Sequence, residues 1–325
     1  MQKRLFGNTK KSVSEVGLGT WQFGGDWGQL DDQTAMSIMQ TAVQRDVTFF
    51  DTANVYGTGH SEELIGEFVR QNKTSLFIAT KLGRLRGFPD SYTLDLFKQA
   101  TEESLQRLGV DQLDLTQLHC VPKEQLKKGD VFDWLRRLQE EGLIRYFGAS
   151  VQTVEEAMIC LEQPDLTSLQ IIFNIFRQKP VDELLEKAQQ KNVALIVRLP
   201  LASGLLSGKF TKETSFSAQD HRSFNRNGEM FYIGETFAGL PFEKGVELAD
   251  QLRRYVPRNW SMAQCALRWI LDFPEVSVVI PGASRTEHVV SNTSASDLPN
   301  LTPEVHEQLR RFYQDKVQKY IRGDY

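Results

Sequence analysis

Cysteine is scarce in this chain, and long hydrophobic runs are missing. Three cysteines, Cys120, Cys160 and Cys265, lie far apart among 325 residues, and no two of them have metal-ligand or redox spacing. Such a sparse, odd-numbered set argues against a disulfide framework and for a reducing compartment. No apolar stretch is long enough to span a bilayer, and the basic N-terminus lacks the apolar core of a signal peptide. We therefore expect a cytoplasmic protein with no membrane partner and no bound metal.

Blocks of a single charge are also missing. The 38 Lys and Arg residues and the 42 Asp and Glu residues are mixed along the chain and leave a net charge of −4. Because nucleic-acid-binding proteins usually carry a basic patch or stripe, we expect no nucleic-acid partner. The length suits either two domains or one α/β barrel with insertions. No coiled-coil repeat is visible, so the sequence indicates no particular oligomeric state.

Short apolar runs alternate with amphipathic helical stretches along most of the chain. Eight of these runs predict strands that are buried on both faces. They are Val16–Thr20, Thr48–Asp51, Leu76–Lys81, Leu113–His119, Ile144–Ser150, Ser168–Phe173, Ala194–Leu199 and Val276–Pro281. The clearest helical stretches between them are Asp32–Gln44, Ser61–Arg70, Tyr92–Leu108, Val131–Glu141 and Pro180–Gln190.

This strict alternation of eight strands with helices predicts a closed parallel (β/α)8 TIM barrel. An open, doubly wound sheet is the alternative, but the segment Gly17–Gln22 does not complete the GxGxxG fingerprint that such sheets usually carry. Three additions are predicted: an N-terminal β-hairpin before residue 17, an irregular segment at Lys209–Leu240 after strand seven, and a C-terminal helix at Thr302–Ile321. We expect residues 1–325 to form one domain of this type.

Ionisable residues stand at the ends of three successive predicted strands. Asp51, Lys81 and His119 each follow an otherwise apolar run, and Tyr56 lies on the loop just after Asp51. Taken singly, a strand-end aspartate is often a cap, and a strand-end lysine often reaches solvent. In a barrel, however, successive strands are neighbours and working residues sit at their C-terminal ends. The combination therefore predicts a catalytic site.

The chemistry of these four residues indicates proton donation to a carbonyl oxygen. A tyrosine with a pKa of about 10 is a poor acid near neutrality, and the Lys81 ammonium is expected to lower the pKa of Tyr56. Asp51 keeps Lys81 charged and fixed, while a neutral His119 orients the oxygen. Because no serine, cysteine or metal cluster offers a nucleophile, a hydride taken from a cofactor is the natural attacker.

Four segments resemble sequence blocks of the aldo-keto reductase superfamily, in the same order along residues from about 4 to 293. The segment Phe49–Gly57 reads FFDTANVYG and resembles the family's D-T-A-x-x-Y-G block; Gly17–Trp21, Ala79–Lys81 and Leu113–His119 match others. The resemblance implies that Tyr56 is the general acid, that Asp51 and Lys81 tune it, and that His119 orients the substrate. It also implies a small-molecule carbonyl substrate and the cofactor NADP.

The resemblance further implies an extended cofactor across the barrel mouth. Ser150 and Gln170 would hold the nicotinamide carboxamide, the loop Pro200–Lys209 would cover the pyrophosphate, and Arg285 would pair with the 2′-phosphate that distinguishes NADP from NAD. The full cofactor set that it implies is Gly19, Thr20, Trp21, Asp51, Ser150, Gln170, Arg198, Pro200, Leu201, Gly204, Leu206, Ser207, Gly208, Lys209, Gly282, Ser284, Arg285 and Asn292.

The chain also departs from the family pattern. Val151 stands where the family usually has asparagine, and Gly282 and His288 replace a common lysine and a common arginine, which weakens the case for strict NADP selectivity. Arg198 stands where an aromatic residue commonly stacks on the nicotinamide. Its planar guanidinium is suited either to stacking or to binding an anionic group of the substrate.

The irregular segment suggests a second basic feature. His221, Arg222 and Arg226 with Arg198 predict a positive rim for cofactor phosphates or an anionic substrate, on a loop that is mobile until NADP(H) binds. A merely solvated loop is the alternative.

Two other functions remain open: a cofactor-binding regulatory protein with slow turnover, and an unrelated barrel isomerase or aldolase with a Schiff base on Lys81.

Overall fold

The computed structural model describes residues 1–28 and 30–325. A two-stranded antiparallel hairpin comes first, and a sheet of eight strands in parallel pairing follows. The strands are β1 Lys3–Leu5, β2 Ser12–Ser14, β3 Leu18–Gly19, β4 Phe49–Asp51, β5 Phe77–Leu82, β6 Leu113–His119, β7 Ile144–Ser150, β8 Ser168–Ile172, β9 Ala194–Arg198 and β10 Val276–Val279. Strands β3 to β10 lie side by side in chain order.

The two ends of this sheet also meet. Val16 bridges Val279, and Gly19 bridges Gly282, both in the parallel sense. The N–H of Gly19 donates to the carbonyl of Pro281 at 3.2 Å. The sheet therefore closes on itself and, with helices between its strands, forms the (β/α)8 barrel that the sequence predicts.

Helices fill the connections between the barrel strands. They are α1 Asp32–Gln44, α2 His60–Asn72, α3 Leu94–Leu108, α4 Lys123–Lys128, α5 Asp130–Glu140, α6 Val154–Leu161, α7 Pro180–Glu183, α8 Leu185–Gln190, α9 His221–Phe224, α10 Phe242–Leu252, α11 Met262–Leu271, α12 Thr286–Ser294 and α13 Pro303–Phe312. Over residues 1–28 and 30–325, no helix has both the length and the apolar character needed to cross a membrane.

Local capping explains where several helices begin and end. The Asp31 side chain accepts the N–H of Thr34 at the start of α1, and Thr93 accepts the N–H of Leu96 at the start of α3. These oxygens satisfy N–H groups that have no partner inside the helix. Gly109 ends α3 in the left-handed region, with φ 68°, which glycine adopts without strain.

The hairpin closes the bottom of the barrel. Phe6 is fully buried, and its ring centroid lies 5.4 Å from that of Phe49 and 5.0 Å from that of Phe77, at the starts of β4 and β5. Tyr146, near the start of β7, donates to the carbonyl of Thr9 at 3.3 Å. Because this end is plugged, the C-terminal ends of the strands are the open face of the barrel.

Several element boundaries differ from the predictions by one or two residues, and three elements differ by more. The first barrel strand, predicted at Val16–Thr20, is reduced to β3, with Val16 joined only through its bridge. The predicted helix Pro180–Gln190 is broken at Leu184, where the φ of −120° leaves the helical region. The C-terminal α-helix predicted at Thr302–Ile321 ends at Phe312 and continues as a π turn and a 3-10 turn.

The irregular segment 209–240 is packed onto the barrel by aromatic side chains. It contains α9 and two 3-10 turns, Ile233–Glu235 and Phe237–Gly239. Phe237 is fully buried, with its ring centroid 4.9 Å from that of Phe242. The segment therefore rises from the C-terminal face while part of it belongs to the core.

Candidate active site

Three of the four predicted catalytic residues form one hydrogen-bonded group. Lys81 Nζ lies 2.5 Å from Asp51 Oδ1, 2.7 Å from the carbonyl oxygen of Thr52 and 3.3 Å from Tyr56 Oη. The ring of His119 stands edge-on to that of Tyr56, at 6.0 Å between centroids. The structure therefore brings together the four residues that the strand ends indicate.

Register in the sheet positions this group. Asp51 pairs with Ala79 on β5, and Lys81 pairs with Gln117 on β6, so the side chains occupy adjacent strands. Asp51 Oδ2 accepts from Gln170 Nε2 at 2.6 Å and from Gln117 Nε2 at 3.4 Å. Both oxygens of this buried carboxylate are therefore engaged, and Gln117 is a supporting residue that the sequence analysis does not identify.

The charges on Lys81 and Tyr56 follow from this packing. Burial is the largest single influence on the pKa of Lys81 and acts to lower it, but Asp51 and Tyr56 together outweigh burial and the net pKa is raised, so Lys81 is charged. Burial raises the pKa of Tyr56 above its usual value, and the Lys81 ammonium opposes that rise. The expectation of a lowered Tyr56 pKa is therefore wrong in its net direction: the influence of Lys81 is present, but desolvation of the phenolate is larger.

His119 is held as a neutral ring. Burial, followed by the charges of Arg84 and Lys81, lowers the pKa of His119 well below 6.5. Its Nδ1 atom is buried and has no hydrogen-bond partner among the described residues, while Nε2 lies 3.5 Å from Arg84 Nη1. A neutral imidazole beside the Tyr56 hydroxyl is suited to orienting a polar oxygen.

A pair of arginines on one carboxylate flanks His119. Arg84 Nη1 and Nη2 each lie 3.2 Å from an oxygen of Glu235, and Arg198 Nη2 lies 3.7 Å from Glu235 Oε1. Burial acts to raise the pKa of Glu235, but the two guanidinium groups outweigh it and the pKa is lowered. Glu235 is therefore a buried carboxylate anion.

Neither Arg84 nor Glu235 is among the residues identified from the sequence. Arg84 lies three residues past Lys81, in the loop after β5, so a prediction that included the loops next to the strand ends would have identified it. Glu235 lies in the segment 209–240, which has no periodicity to place it. Only the folded arrangement shows that these two residues meet, because 151 positions separate them.

A cavity of about 960 Å³ extends to the barrel rim from the four predicted catalytic residues, which are called the catalytic group below: Asp51, Tyr56, Lys81 and His119. Its volume lies near the upper end of the usual range for ligand sites. Most of the predicted cofactor set lines this cavity: Gly19, Thr20, Trp21, Asp51, Ser150, Gln170, Arg198, Pro200, Leu201, Gly204, Ser207, Lys209, Gly282, Ser284, Arg285 and Asn292. Tyr56 and His119 also line it, while Lys81 lies behind them.

Two members of the predicted cofactor set lie outside the lining. The side chain of Leu206 is fully buried in the core, as expected for a leucine in a turn packed on helices. Gly208 ends that turn with φ 68°, and its Cα faces Met262. The cofactor contacts expected at Leu206 and Gly208 stay predictions, and the cavity lining adds no support for them.

The loop after β9 brings backbone close to the cavity. Ser203 and Gly204 have φ values of 54° and 99°, and a Cβ on Gly204 would lie 2.6 Å from the Phe210 ring. The hydroxyl of Ser203 donates to the carbonyl of Glu235 at 3.2 Å and accepts the N–H of Phe237 at 3.0 Å. The loop is thereby tied to the segment 209–240.

Polar groups line the far end of the cavity, next to the start of α12. Arg285 is 57% exposed, and its Nε donates to His288 Nε2 at 3.0 Å. Asn292 Nδ2 donates to the carbonyl of Gly282 at 3.3 Å. This end therefore presents an exposed guanidinium and is suited to an anionic group.

The positive rim predicted on the irregular segment does not form as expected. His221 is fully buried, and burial lowers its pKa to about 4, so the ring is neutral. Arg226 lies outside the cavity lining and pairs with Glu243 at 2.6 Å. Arg222 does line the cavity, but its Nη2 lies 2.5 Å from a carboxylate oxygen of Asp220. Local acidic partners and burial therefore remove most of the predicted charge.

Curated proteins of similar sequence span nearly the whole chain. An uncharacterized oxidoreductase of Bacillus subtilis, YqkF, is 28% identical over 328 residues, which cover 99% of this chain and 100% of that protein. A probable voltage-gated potassium channel β subunit of Arabidopsis thaliana is 28% identical over 339 residues and 98% of both chains.

Solved structures agree with the barrel. The glycerol dehydrogenase of Gluconobacter oxydans superposes with a TM-score of 0.78 at 27% identity, over 99% of this chain and 98% of that one. An aldo-keto reductase of Klebsiella pneumoniae in complex with NADPH superposes with a TM-score of 0.71 at 24% identity, over 96% and 95%.

The sequence also matches the model of a protein family over most of its length. The model of the aldo/keto reductase family matches residues 15–314, from just before β3 to just after α13. The match contains the four residues of the catalytic group and the whole lining of the cavity. The chain therefore belongs to the aldo/keto reductase family.

Proposed function

We propose that this chain is an NADP(H)-dependent reductase of aldehydes or ketones, in which Tyr56 is the general acid. The observation that carries the proposal is the contact of Lys81 with both Asp51 and the Tyr56 hydroxyl, beside a neutral His119. The group stands at one end of a cavity whose other end offers an exposed arginine. An acid and a cofactor channel in one cavity fit a hydride-transfer enzyme.

The cavity residues fit an extended dinucleotide. Ser150 and Gln170 present polar side chains next to the catalytic group, Lys209 stands along the loop after β9, and Arg285 stands at the far end. The likeness to the Klebsiella pneumoniae enzyme, whose structure holds NADPH, supports this assignment. Bound NADPH supplies a hydride to the carbonyl carbon.

Residues of this chain supply the proton that the carbonyl oxygen receives. Because burial keeps the Tyr56 hydroxyl protonated, it donates to the carbonyl oxygen as negative charge develops there. The Lys81 ammonium, 3.3 Å away, stabilises the resulting phenolate, and Asp51 holds that ammonium in place. His119 orients the oxygen, and the closed bottom of the barrel excludes water from behind.

The structure also bears on the two other functions that the sequence leaves open. Lys81 donates to Asp51 and to the carbonyl of Thr52, and its raised pKa keeps it charged, which disfavours the free amine that a Schiff base requires. The likeness to a plant potassium channel subunit supports a cofactor-binding regulatory role as second candidate. The complete proton-donating group favours turnover.

A substrate screen tests the proposal. The protein is mixed with NADPH and a panel of aldehydes and ketones, and loss of NADPH is matched to the alcohol formed. Tyr56→Phe is expected to bind NADPH normally and to lose turnover by about 10²-fold or more, since the proton donor is gone. Tyr255→Phe, at an aromatic residue outside the cavity lining, is the matched control. Near-normal turnover by Tyr56→Phe would remove Tyr56 from the mechanism, and tight NADPH binding with no turnover of any carbonyl would favour the regulatory role.

A further inference from the structure

The wall of the cavity beside His119 carries an excess of positive charge. Arg84 and Arg198 both line the cavity and share a single carboxylate, that of Glu235. In the described parts of the chain, no other carboxylate lies within 4.0 Å of either guanidinium. His119 is neutral, and the charge of Lys81 is balanced by that of Asp51. Two arginines that share one carboxylate therefore leave this wall with one net positive charge next to Tyr56 and His119.

That charge is held where water is scarce. The Arg84 side chain is 19% exposed and the Arg198 side chain 11%. An incompletely balanced charge with little hydration is costly until an anion reaches it. The remaining acidic groups of the lining are engaged elsewhere: Asp26 accepts from the Trp21 indole at 2.8 Å, and Glu287 lies beside Arg285.

Arg84 points its charge toward the reaction centre. Its Nη1 lies 3.5 Å from His119 Nε2, and its guanidinium lies 5.4 Å from the centroid of the Phe231 ring. An anionic group that meets Arg84 is therefore adjacent to a carbonyl that meets His119 and Tyr56. Glu235 engages one N–H of each terminal nitrogen of Arg84, and the remaining N–H donors of the planar guanidinium suit a second carboxylate.

The mouth of the same cavity is apolar. Leu85, Phe88 and Met230 line it, with 51%, 46% and 73% of their surfaces exposed. Leu85 and Phe88 lie on the loop after β5 that also carries Arg84, and Met230 faces them from the segment 209–240. Exposed apolar side chains around a cavity gain free energy when a ligand covers them. The site thus combines an inner cationic wall with an outer apolar lip.

We propose that Arg84, supported by Arg198, binds a substrate carboxylate, so that the preferred substrates are oxo acids with an apolar remainder. This assignment rests on the proposed carbonyl reduction and specifies its substrate class. The carboxylate lies a few bonds from the carbonyl, and the apolar remainder reaches Leu85, Phe88 and Met230. Glu235 positions Arg84 and moderates its charge, and it does not contact the substrate.

Matched substrates test the charge directly. Phenylglyoxylate and its methyl ester share the ring and the position of the ketone; the ester lacks the carboxylate charge, and its ketone is the more electrophilic, so intrinsic reactivity alone favours the ester. The acid is expected to have a kcat/KM about tenfold or more above that of the ester, as for a charged hydrogen bond. Arg84→Met is expected to lower kcat/KM for the acid far more than for the ester, so that the preference for the acid is lost. Arg86→Met is the control, because Arg86 lies on the same loop, pairs with Glu103 on the surface and does not line the cavity.

A second substitution is expected to change the preference for the acid over the ester in the opposite direction. Glu235→Gln removes the negative charge that Arg84 and Arg198 share, so the preference for the acid over the ester is expected to rise. Equal losses for acid and ester in Arg84→Met, or no change in preference in Glu235→Gln, would show that Arg84 only supports His119 and would overturn the proposal.

Binding provides a readout that does not depend on turnover. Calorimetry on the protein loaded with NADP⁺ is expected to show benzoate binding about tenfold or more tighter than benzamide, with the difference lost in Arg84→Met. Equal binding of the two probes to the parent protein would overturn the acid site even if neutral ketones are reduced. Benzoate binding through Arg84 without reduction of any carbonyl would instead overturn the proposed function and leave the acid site standing.

Discussion

At the scale of single residues, opposing effects act on the hydroxyl of Tyr56, the proposed proton donor. Burial and the Asp51 carboxylate raise the pKa of Tyr56, and Lys81 is the strongest influence that lowers it. In the direction of carbonyl reduction a protonated hydroxyl is required, and burial provides it. In the direction of alcohol oxidation the phenolate is required, and Lys81 provides the charge that stabilises it.

Replacing Lys81 with methionine separates these effects. Without the ammonium the pKa of Tyr56 rises further, so the phenolate forms only at higher pH. Alcohol oxidation, which increases with pH as the phenolate forms, is therefore expected to shift the rising limb of its pH profile to higher pH. The measurement is the pH profile of kcat/KM for oxidation with NADP⁺. Lys98→Met, at an exposed ion pair with Glu141, is the control, and an unshifted profile in Lys81→Met would contradict the assigned role.

Arg285 governs the expected choice of cofactor. It lines the far end of the cavity, and its exposed terminal nitrogens are placed to meet a phosphate that NADPH has and NADH lacks. Arg285→Ala is expected to weaken NADPH binding by about 1.5 kcal/mol, the lower end for a charged hydrogen bond because the residue is largely exposed. Quenching of protein fluorescence measures both affinities. Arg254→Ala, outside the lining, is the control, and equal weakening of NADPH and NADH would show that Arg285 does not read the phosphate.

At the scale of elements, the segment 209–240 divides into an outer and an anchored part. Residues 211–213 and 217–219 are exposed, whereas Asp220, His221, Asn225 and Phe237 are buried. Asn225 Oδ1 accepts the N–H groups of Met230 and Phe231 at 2.8 and 2.9 Å. This packing predicts that the mobility expected from the sequence is limited to the outer part, next to Lys209 and Phe210 in the cavity lining.

Limited proteolysis measures that division. Trypsin is expected to cut after Lys212 well before Arg222 or Arg226, whose backbone is anchored. Addition of NADP⁺ is expected to slow cleavage at Lys212, because cofactor contacts at Lys209 restrict the neighbouring chain. Cleavage after Lys128, on the exposed end of α4 and remote from the cavity, should keep its rate. First cleavage at Arg222, or indifference of Lys212 to NADP⁺, would contradict this division.

The sequence predicts features that depend on neighbouring residues or on barrel topology, and it misses features that depend on contacts between residues far apart in the chain. The bounds of β6 and β7 are confirmed, since runs of buried residues in neighbouring positions define them. Asp51, Lys81 and His119 are found because barrel topology places consecutive strand ends together. Arg84 and Glu235 are missed because their partnership depends on how an aperiodic segment folds back over the barrel, and no local pattern encodes that.

At the scale of the whole molecule, the N-terminal hairpin ties the two ends of the barrel sheet together. Arg4 lies on β1, and its Nη1 donates at 2.9 Å to the carbonyl of Phe273, just before β10, and at 2.8 Å to that of Val276, the first residue of β10. Its Nε donates at 2.8 Å to Glu15, which leads into β3 and has a fully buried side chain. One guanidinium thus connects the first and last strands at the plugged end.

Arg4→Met tests how much the fold depends on this connection. Among the described residues, Arg268, at 3.9 Å, is then the one remaining ion-pair partner of the buried Glu15, and the carbonyls of Leu271, Phe273 and Val276 lose their Arg4 donors. Breaking one side of a buried ion pair is expected to lower the free energy of unfolding by about 3 kcal/mol. Urea denaturation measures the loss. Arg311→Met, which breaks a surface pair with Glu307, is the control and should cost about 1 kcal/mol or less.

A double substitution separates the ion pair from the rest of the hairpin. If the loss in Arg4→Met arises mainly from the uncompensated charge of Glu15, then Arg4→Met combined with Glu15→Gln should regain part of it, because a neutral amide is less costly to bury than a carboxylate anion. Loss of the carbonyl contacts would remain in both variants. Should Arg4→Met be no less stable than Arg311→Met, closure of the barrel rests on the strand bridges and the buried Phe6 alone, and the guanidinium is not a structural tie.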